Sequence, residues 1–199
     1  MIRNSHMPSI GTRVRGLWKR HPTEGIPHLR AGVNRGERFT SMKKTNAARH
    51  LDRLQIDYRL VEYDVDESDL SAERVAEKVN LPPGQVFKTL VARGDKTGVL
   101  LACVPAGTEL DLKSIASLSN NKKVEMVPVK EIEILTGYIR GGVSPIGTKK
   151  RYAFYMDESA MTFPFISVSA GIRGCQLFVD PRRLSQILEA TLGRISRPS

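Results

Sequence analysis

The chain has 199 residues, of which 40% are hydrophobic and 26% charged, with a net charge of +10. These values are typical of one globular domain, or at most two small ones, and they exclude a disordered chain. No apolar run approaches the ~20 residues that span a bilayer, and no apolar signal-peptide core lies near the N-terminus. Two cysteines do not imply a disulfide framework. We therefore expect a cytoplasmic protein with reduced thiols and no membrane contact.

Residues 1–41 differ in composition from the rest of the chain. They contain eight Lys or Arg residues against two Glu, so they carry six of the ten net positive charges and leave +4 for residues 42–199. Glycine and proline are scattered through them without an apolar period. The pattern predicts a basic leader, a tag or upstream extension outside the fold, followed by one domain at 42–199. A basic nucleic-acid-binding arm is the alternative interpretation.

Hydrophobic periodicity and capping residues predict the elements of the domain in chain order. Helices are predicted over residues 45–54, 71–79, 111–118, 128–135 and 181–192, and strands over 58–63, 86–92, 99–104, 123–127, 152–156, 165–169 and 176–179. The linker at 93–98 reads as a hairpin loop, which implies antiparallel pairing. Helices and strands do not alternate as repeated βαβ units. The fold class is therefore α/β in the mixed α+β sense, with a mainly antiparallel mixed sheet and packed helices.

The inventory of reactive side chains excludes several mechanisms. His50 is the single histidine after the leader, which gives poor support to a Ser-His-Asp or Cys-His nucleophile. No His/Cys cluster has metal-ligand spacing, and neither a Walker loop nor a dinucleotide fingerprint is present. We expect neither a metal nor a cofactor. An enzyme with this sequence would have to work with a lysine, hydroxyl groups and backbone amides.

Lys88 is such a lysine, because it stands at the start of an apolar strand. A charge there is paired, lies at a solvated strand end, or is directed into a pocket. The pattern alone favours a strand-end lysine that blunts edge pairing. The glycines at 141–142 and the segment 167–174 also allow two interpretations. They serve either as turns or as places where backbone amides approach a ligand oxyanion.

Taken together, several segments resemble the YbaK family of bacterial trans-editing aminoacyl-tRNA deacylases, specifically the Cys-tRNA(Pro)/Cys-tRNA(Cys) deacylases. The resemblance covers residues 42 to about 194. One matching stretch runs from Thr136 to Gly147, and its part from Thr136 to Pro145 is the most specific single piece. The other matching positions are residues 44–49, 63, 86–90, 110–113, 122–126, 149–151, 167–169 and 173–174.

The resemblance implies one compact domain with a curved sheet, like the editing domain of prolyl-tRNA synthetase. It implies hydrolysis of the ester that joins a mischarged amino acid to the tRNA 3′ end, with Cys-tRNA(Pro) as the substrate. Alternatives are an Ala-tRNA(Pro)-type deacylase and a non-catalytic tRNA- or synthetase-binding module. Lys88 matches the family's essential lysine and would hold the substrate electrostatically. The implied substrate-binding residues are Tyr63, Thr89, Gly141, Gly142, Ser144, Ser169 and Ala170.

The resemblance also implies a mechanism and partners. In cysteine-specific members the substrate's own thiol is thought to attack its ester carbonyl, which gives a cyclic thiolactone. The expected partners are aminoacyl-tRNA(Pro) and prolyl-tRNA synthetase in a ternary complex. Two positions depart from the family pattern. The loop after the first strand offers Leu70 in place of an aromatic pocket residue, and Gln176 replaces an acidic residue after the Arg-Gly pair.

Overall fold

The computed structural model describes residues 44–199 and the backbone of Arg15–Trp18. The helices of this part are α1 (Asn46–Arg53), α2 (Ala72–Val79), α3 (Leu112–Leu118), α4 (Val129–Thr136) and α5 (Pro181–Leu188). The strands are β1 (Arg15–Trp18), β2 (Tyr58–Glu62), β3 (Phe87–Gly94), β4 (Gly98–Pro105), β5 (Thr108–Leu110), β6 (Val124–Met126), β7 (Ala153–Asp157), β8 (Ile166–Ser169), β9 (Cys175–Val179), β10 (Thr191–Gly193) and β11 (Ser196–Pro198). Within these residues, every helix is too short or too polar to cross a bilayer.

The strands form two main sheets and a small ribbon. One sheet has the order β1-β2-β9-β8, the other the order β10-β7-β4-β3-β6, and β11 pairs with β5. All pairs are antiparallel except β4 with β7 and β10 with β7. A parallel bridge between Val86 and Ser167 joins the two sheets at β3 and β8. The predicted mixed α/β domain with mainly antiparallel pairing is thus confirmed, with its strands divided between two connected sheets.

Helices α1, α2 and α3 each begin at a residue whose side chain accepts a hydrogen bond from a free backbone amide of the first turn. Thr45 Oγ1 accepts from the Ala48 amide at 3.2 Å, and Ser71 Oγ accepts from Arg74 at 3.2 Å. Asp111 caps α3 in the same way. These predicted starts are confirmed, as is the predicted hairpin, in which β3 and β4 pair antiparallel up to a closing pair at their turn.

The structure corrects the end of the last helix and adds short strands. α5 ends at Leu188 instead of Leu192, because Glu189 takes a left-handed conformation with φ of 51° and the chain turns into β10. The three-residue strands β5, β10 and β11 were not predicted. β1 lies inside the predicted leader and pairs antiparallel with β2. The rest of residues 1–43 lies outside the described residues, so the boundary near residue 42 stays a prediction.

Three apolar clusters lie on the two faces of the sheets. The main cluster lies on the inner face with α1 and α5, and it contains Leu51 and Leu184. On the outer face, α3 covers a second cluster at β3 and β4, to which Ile115 belongs. α2 covers a third cluster at β2 and β9, to which Val79 belongs. The outer face is therefore apolar at both ends, and the junction of the sheets lies between them.

Candidate active site

Lys88 lies on the outer face of the sheets, between the second and third clusters. Along β3, Phe87 and Val91 belong to the main cluster, whereas Leu90 packs on the second one. Just before the strand, Val86 belongs to the third cluster. Because side chains alternate along a strand, Lys88 shares the face of Val86 and Leu90. Its side chain is half-buried, and no residue within 44–199 gives its ammonium a hydrogen bond or an ion pair.

Ser169 shares the outer face with Lys88, close to the bridge that joins the two sheets. Val168 belongs to the main cluster, so Ser167 and Ser169 point to the outer face. The parallel bridge between Val86 and Ser167 aligns the two strands. Lys88 and Ser169 each lie two residues beyond this bridge, on the same outer face of the sheets. The Ser169 hydroxyl accepts from the Gly171 amide at 3.2 Å, so a local turn fixes its orientation.

A cleft next to this face brings Gly141 to Tyr63. Tyr63 packs on the third cluster and thus shares the outer face with Lys88. The residues that line the cleft are Tyr63, Val65, Asp66, Asp69, Leu70, Arg74, Val75, Lys78 and Gly141. Lys88 is not among them, so the predicted set divides into a Lys88–Ser169 group and a Tyr63–Gly141 group. Leu70 also lines the cleft, and its role as a pocket residue stays a prediction.

Side-chain hydrogen bonds to two backbone carbonyls hold the loop that carries Gly141 in place. The Tyr138 hydroxyl donates to the Ile146 carbonyl at 2.7 Å, and Asn46 at the start of α1 donates to the Gly147 carbonyl at 2.8 Å. Burial raises the pKa of Tyr138, which keeps its phenol protonated as a donor. The loop is therefore a preformed support for Gly141.

Gly141 and Gly142 differ in what their amides offer. The Gly142 amide donates to the Ile139 carbonyl at 2.9 Å, and the residue is buried. Gly141 is exposed with φ of 83°, a conformation that favours glycine. No backbone or side-chain group in the described part of the chain accepts from its N–H. Only the Gly141 amide of this pair is thus available to a ligand.

Three further predicted residues lie away from the outer face. The Thr89 side chain points to the main cluster, where its hydroxyl lies 3.8 Å from the Cys103 sulfur. Ser144 is fully buried, and its hydroxyl accepts from the Ile146 amide. Ala170 is fully buried in the main cluster. The structure therefore does not bring these side chains to Lys88.

The electrostatics of the domain leave few candidates for a nucleophile or base. Burial raises the pKa of both Cys103 and Cys175 to about 12, so neither is a thiolate at neutral pH. His50 lies on α1, on the opposite side of the sheets, where burial and then the Arg53 charge lower its pKa. Among residues 44–199 no cluster of His, Cys, Asp or Glu could hold a metal ion.

Sequence reasoning missed three contacts at the site. Arg173 donates from Nε to the Arg140 carbonyl at 3.0 Å and forms an ion pair with Glu67 at 2.6 Å. The Ser167 hydroxyl donates to Gln176 Oε1 at 3.1 Å on the outer face, where both are buried. The Arg-Gly pair marked Arg173 as part of a motif, but no local signal indicates a partner 106 residues away.

This geometry defines a class of protein. It is a mixed α/β domain whose outer face, within the described residues, offers the unpaired Lys88 ammonium, the Ser169 hydroxyl and the free Gly141 N–H. Such groups can bind an anion or a polarised carbonyl oxygen.

Comparison with known proteins identifies the family. Residues 67–187 match the family described as aminoacyl-tRNA editing domain. The chain is 44% identical over 156 residues to the Enterococcus faecalis protein named "Putative Cys-tRNA(Pro)/Cys-tRNA(Cys) deacylase EbsC", covering 78% of this chain and 95% of that protein. The chain therefore belongs to the aminoacyl-tRNA editing domain family, as the sequence motifs predicted.

Two solved structures share the fold. The crystal structure of the hypothetical protein APE2540 has a TM-score of 0.71 at 20% identity, over 76% of this chain and 99% of that chain. The structure described as "a putative trans-editing enzyme for prolyl tRNA synthetase" has a TM-score of 0.67 at 24% identity, over 76% of this chain and 95% of that chain. At these identities the likeness concerns the fold alone.

Proposed function

We propose that this protein removes cysteine from mischarged Cys-tRNA(Pro) in trans, as a proofreading step of translation in the cytoplasm. As a member of the editing family, the protein is an aminoacyl-tRNA deacylase, an enzyme that hydrolyses an ester bond. The E. faecalis relative, which is named for Cys-tRNA(Pro) and Cys-tRNA(Cys), supports this choice of substrate. The observation that supports the proposal is the Lys88 ammonium, which has no partner among residues 44–199 and shares the outer face with Ser169 at the junction of the two sheets.

Lys88 acts as an electrostatic anchor for the aminoacyl-adenosine end. A compact ammonium group suits the terminal phosphate-ribose or the ester carbonyl. The apolar clusters on either side of Lys88 exclude water and strengthen its electrostatic attraction for the substrate. Ser169 orients the same end through its hydroxyl, and Tyr63 lines the neighbouring cleft.

The substrate supplies the nucleophile. Its cysteine sulfur attacks the ester carbonyl carbon, the carbon–oxygen bond to the ribose breaks, and the thiol proton ends on the released 3′-terminal hydroxyl. The product is a cyclic thiolactone, which water then opens to free cysteine. This route needs no enzyme thiolate or histidine, in accord with the high pKa of Cys103 and Cys175. Oxyanion stabilisation by a backbone amide and a nearby cation is the protein's contribution.

The choice of tRNA comes in part from prolyl-tRNA synthetase in a ternary complex. Residues 42–199 carry a net charge of only +4, and affinity for nucleic acid grows with the number of phosphates that are neutralised. We therefore expect this part of the chain to bind free tRNA weakly and with little preference among tRNAs.

The decisive experiment measures deacylation of Cys-, Ala-, Ser- and Pro-tRNA(Pro). Wild type should act on the cysteine ester well ahead of the others, and Lys88→Ala should lose about 10²-fold or more, the usual effect of removing an electrostatic stabiliser. Lys96→Ala is the matched control, because Lys96 lies exposed in the turn of the same hairpin. Full activity of Lys88→Ala would refute the central role of Lys88. A faster rate on Ala-tRNA(Pro) would refute the thiol route in favour of an alanine-specific deacylase.

A further inference from the structure

Arg173 links the two loops that form the cleft. It lies in the turn between β8 and β9, and its side chain is 27% exposed. Its Nε donates to the Arg140 carbonyl at 3.0 Å, while Nη1 pairs with Glu67 at 2.6 Å. The turn that presents Arg173 is itself closely packed, because a Cβ on Gly174 would lie 3.0 Å from the Tyr63 carbonyl oxygen. The turn that carries Arg173 is thus packed against the backbone of Tyr63, which directly follows β2.

The hydrogen bond to the Arg140 carbonyl also fixes the next amide. The Arg140 carbonyl and the Gly141 N–H belong to one peptide unit, which is planar and trans. In a trans unit these two groups point in opposite directions. Since Arg173 binds the carbonyl end, the Gly141 N–H points away from the guanidinium. No group in the described residues competes for that N–H.

The hydrogen bond from Gly142 to the Ile139 carbonyl closes the turn around Gly141, but glycine at position 141 still lets the Arg140–Gly141 peptide rotate within that turn unless another group restrains it. Its φ of 83° is accessible because it has no side chain, and glycine samples many other conformations at similar energy. Gly141 is exposed, so packing does not restrain it. The Arg173 guanidinium supplies the restraint, because a fixed fork of donors loses little further entropy when it binds.

We propose that Arg173 is a positioning residue that sets the orientation of the Gly141 N–H toward the ester carbonyl oxygen of the substrate. This inference rests on the proposed deacylation. Arg173 does not touch the reacting atoms. It acts through the Arg140–Gly141 peptide, to whose carbonyl its Nε donates, and the exposed ion pair with Glu67 is not required for this role. The amide that Arg173 orients donates to the oxyanion that forms when the carbonyl carbon is attacked.

Three variants distinguish the positioning role of Arg173 from an effect of its charge and from an effect on packing. Arg173→Lys keeps the positive charge and the reach to Glu67 but loses the Nε donor. Its kcat should fall about 10- to 100-fold with KM within about 2-fold, since the loss of one oxyanion donor costs up to ~10³. Glu67→Gln keeps the Nε bond and should change kcat by less than about 3-fold, as an exposed ion pair contributes little. Arg151→Ala breaks an exposed ion pair away from the cleft and should leave both constants unchanged.

Chemical rescue supplies a readout that a purely structural role would not move. Guanidinium ion should restore kcat of Arg173→Ala, whereas methylammonium at the same concentration should not. A wild-type kcat in Arg173→Lys, or a fall that guanidinium does not reverse, would overturn the proposal. Lys88→Ala is measured in parallel. If it is inactive while Arg173→Lys is fully active, only the positioning role fails, whereas an active Lys88→Ala refutes the proposed function itself.

Discussion

At the scale of single residues, Gly141 offers a test of the free amide. Its φ of 83° means that Gly141→Ala forces an L-residue into the left-handed region, which costs about 1–2 kcal/mol. An added Cβ would also lie 3.4 Å from Arg173 Nε and 3.4 Å from Leu70 Cδ1. We expect a modest loss in the free energy of unfolding and a large loss of deacylation, measured by urea denaturation and by single-turnover kinetics.

A matched glycine separates backbone strain from function. Gly98 has φ of 74° in the β3–β4 turn, and a Cβ there would meet no atom within 4 Å. Gly98→Ala should therefore lose about as much stability as Gly141→Ala while keeping its deacylation rate. Equal losses of activity in both variants would mean that instability alone explains the effect of Gly141→Ala.

The two buried thiols give a prediction about pH. Burial raises the pKa of Cys103 to about 12, above the ordinary value, so the folded state favours the protonated thiol. Its contribution to stability is fully present below about pH 9 and is lost as pH rises toward the folded pKa, by about 1.4 kcal/mol per pH unit. Denaturation curves of wild type and Cys103→Ala between about pH 8 and pH 10.5 should show a shallower decline in the variant. Parallel curves would contradict the raised pKa.

Residue roles were only partly predictable from the sequence. Lys88 stood out because a charge in an apolar strand is costly, and the structure leaves it unpaired within the described residues. Strand alternation alone places the side chains of Lys88 and Thr89 on opposite faces of the sheet. The sequence was therefore enough to predict that these two side chains do not meet. Arg173 could not be assigned a role, since its partners Glu67 and Arg140 lie in other loops.

At the scale of elements, Asp157 ties the C-terminal strands to the end of β7. Its carboxylate accepts from the amides of Ile195 and Ser196 at 3.0 and 2.9 Å, and the residue is 3% exposed. Burial raises its pKa, but the hydrogen bonds from Ser159 and Ser196 lower it more, so the pKa is lowered overall. This contribution to stability is present above the unfolded pKa of about 4 and is lost as pH falls through the folded value.

Removing that charge should loosen the C-terminal ribbon. Asp157→Ala removes the oxygen that accepts from both the Ile195 and Ser196 amides, and each buried amide left without an acceptor costs about 1–3 kcal/mol in the free energy of unfolding. Hydrogen exchange should then rise first in β10 and β11, and the loss of stability in acid should become smaller. Glu189→Gln, an exposed change nearby, should do neither. Unchanged exchange in β11 would contradict the role given to Asp157.

Elements with a clear cap or turn were predicted, and short ones were not. Ser71 and Asp111 indicate helix starts because their side chains accept hydrogen bonds from the free amides of the first helical turn. β5, β10 and β11 have three residues each, too few for a period to be visible. Leu192 fits helical spacing, but the chain takes a left-handed turn at Glu189 and residues 191–193 pair with β7. This pairing joins residues far apart in the sequence, so local spacing could not predict it.

At the scale of the whole molecule, charge is distributed unevenly along the chain. Residues 1–41 carry six of the ten net positive charges, and in the described part of the chain the three apolar clusters lie within residues 47–195. We therefore predict that the segment that attracts polyanions is largely separate from the segment that folds. β1 is the described exception, because it pairs with the edge of β2.

A variant that begins at Met42 tests two predictions: that residues 42–199 fold without the leader, and that the leader supplies much of the attraction for tRNA. It should unfold cooperatively with an unchanged denaturant slope, since the clusters stay intact, and at a lower midpoint because β2 loses its neighbour. Its affinity for free tRNA should fall and depend less on salt, because fewer phosphates are neutralised. Deacylation in the presence of prolyl-tRNA synthetase should remain close to that of the full chain. Loss of cooperative unfolding would place the domain boundary before residue 42, and an unchanged salt dependence would show that the tRNA contacts lie within residues 42–199.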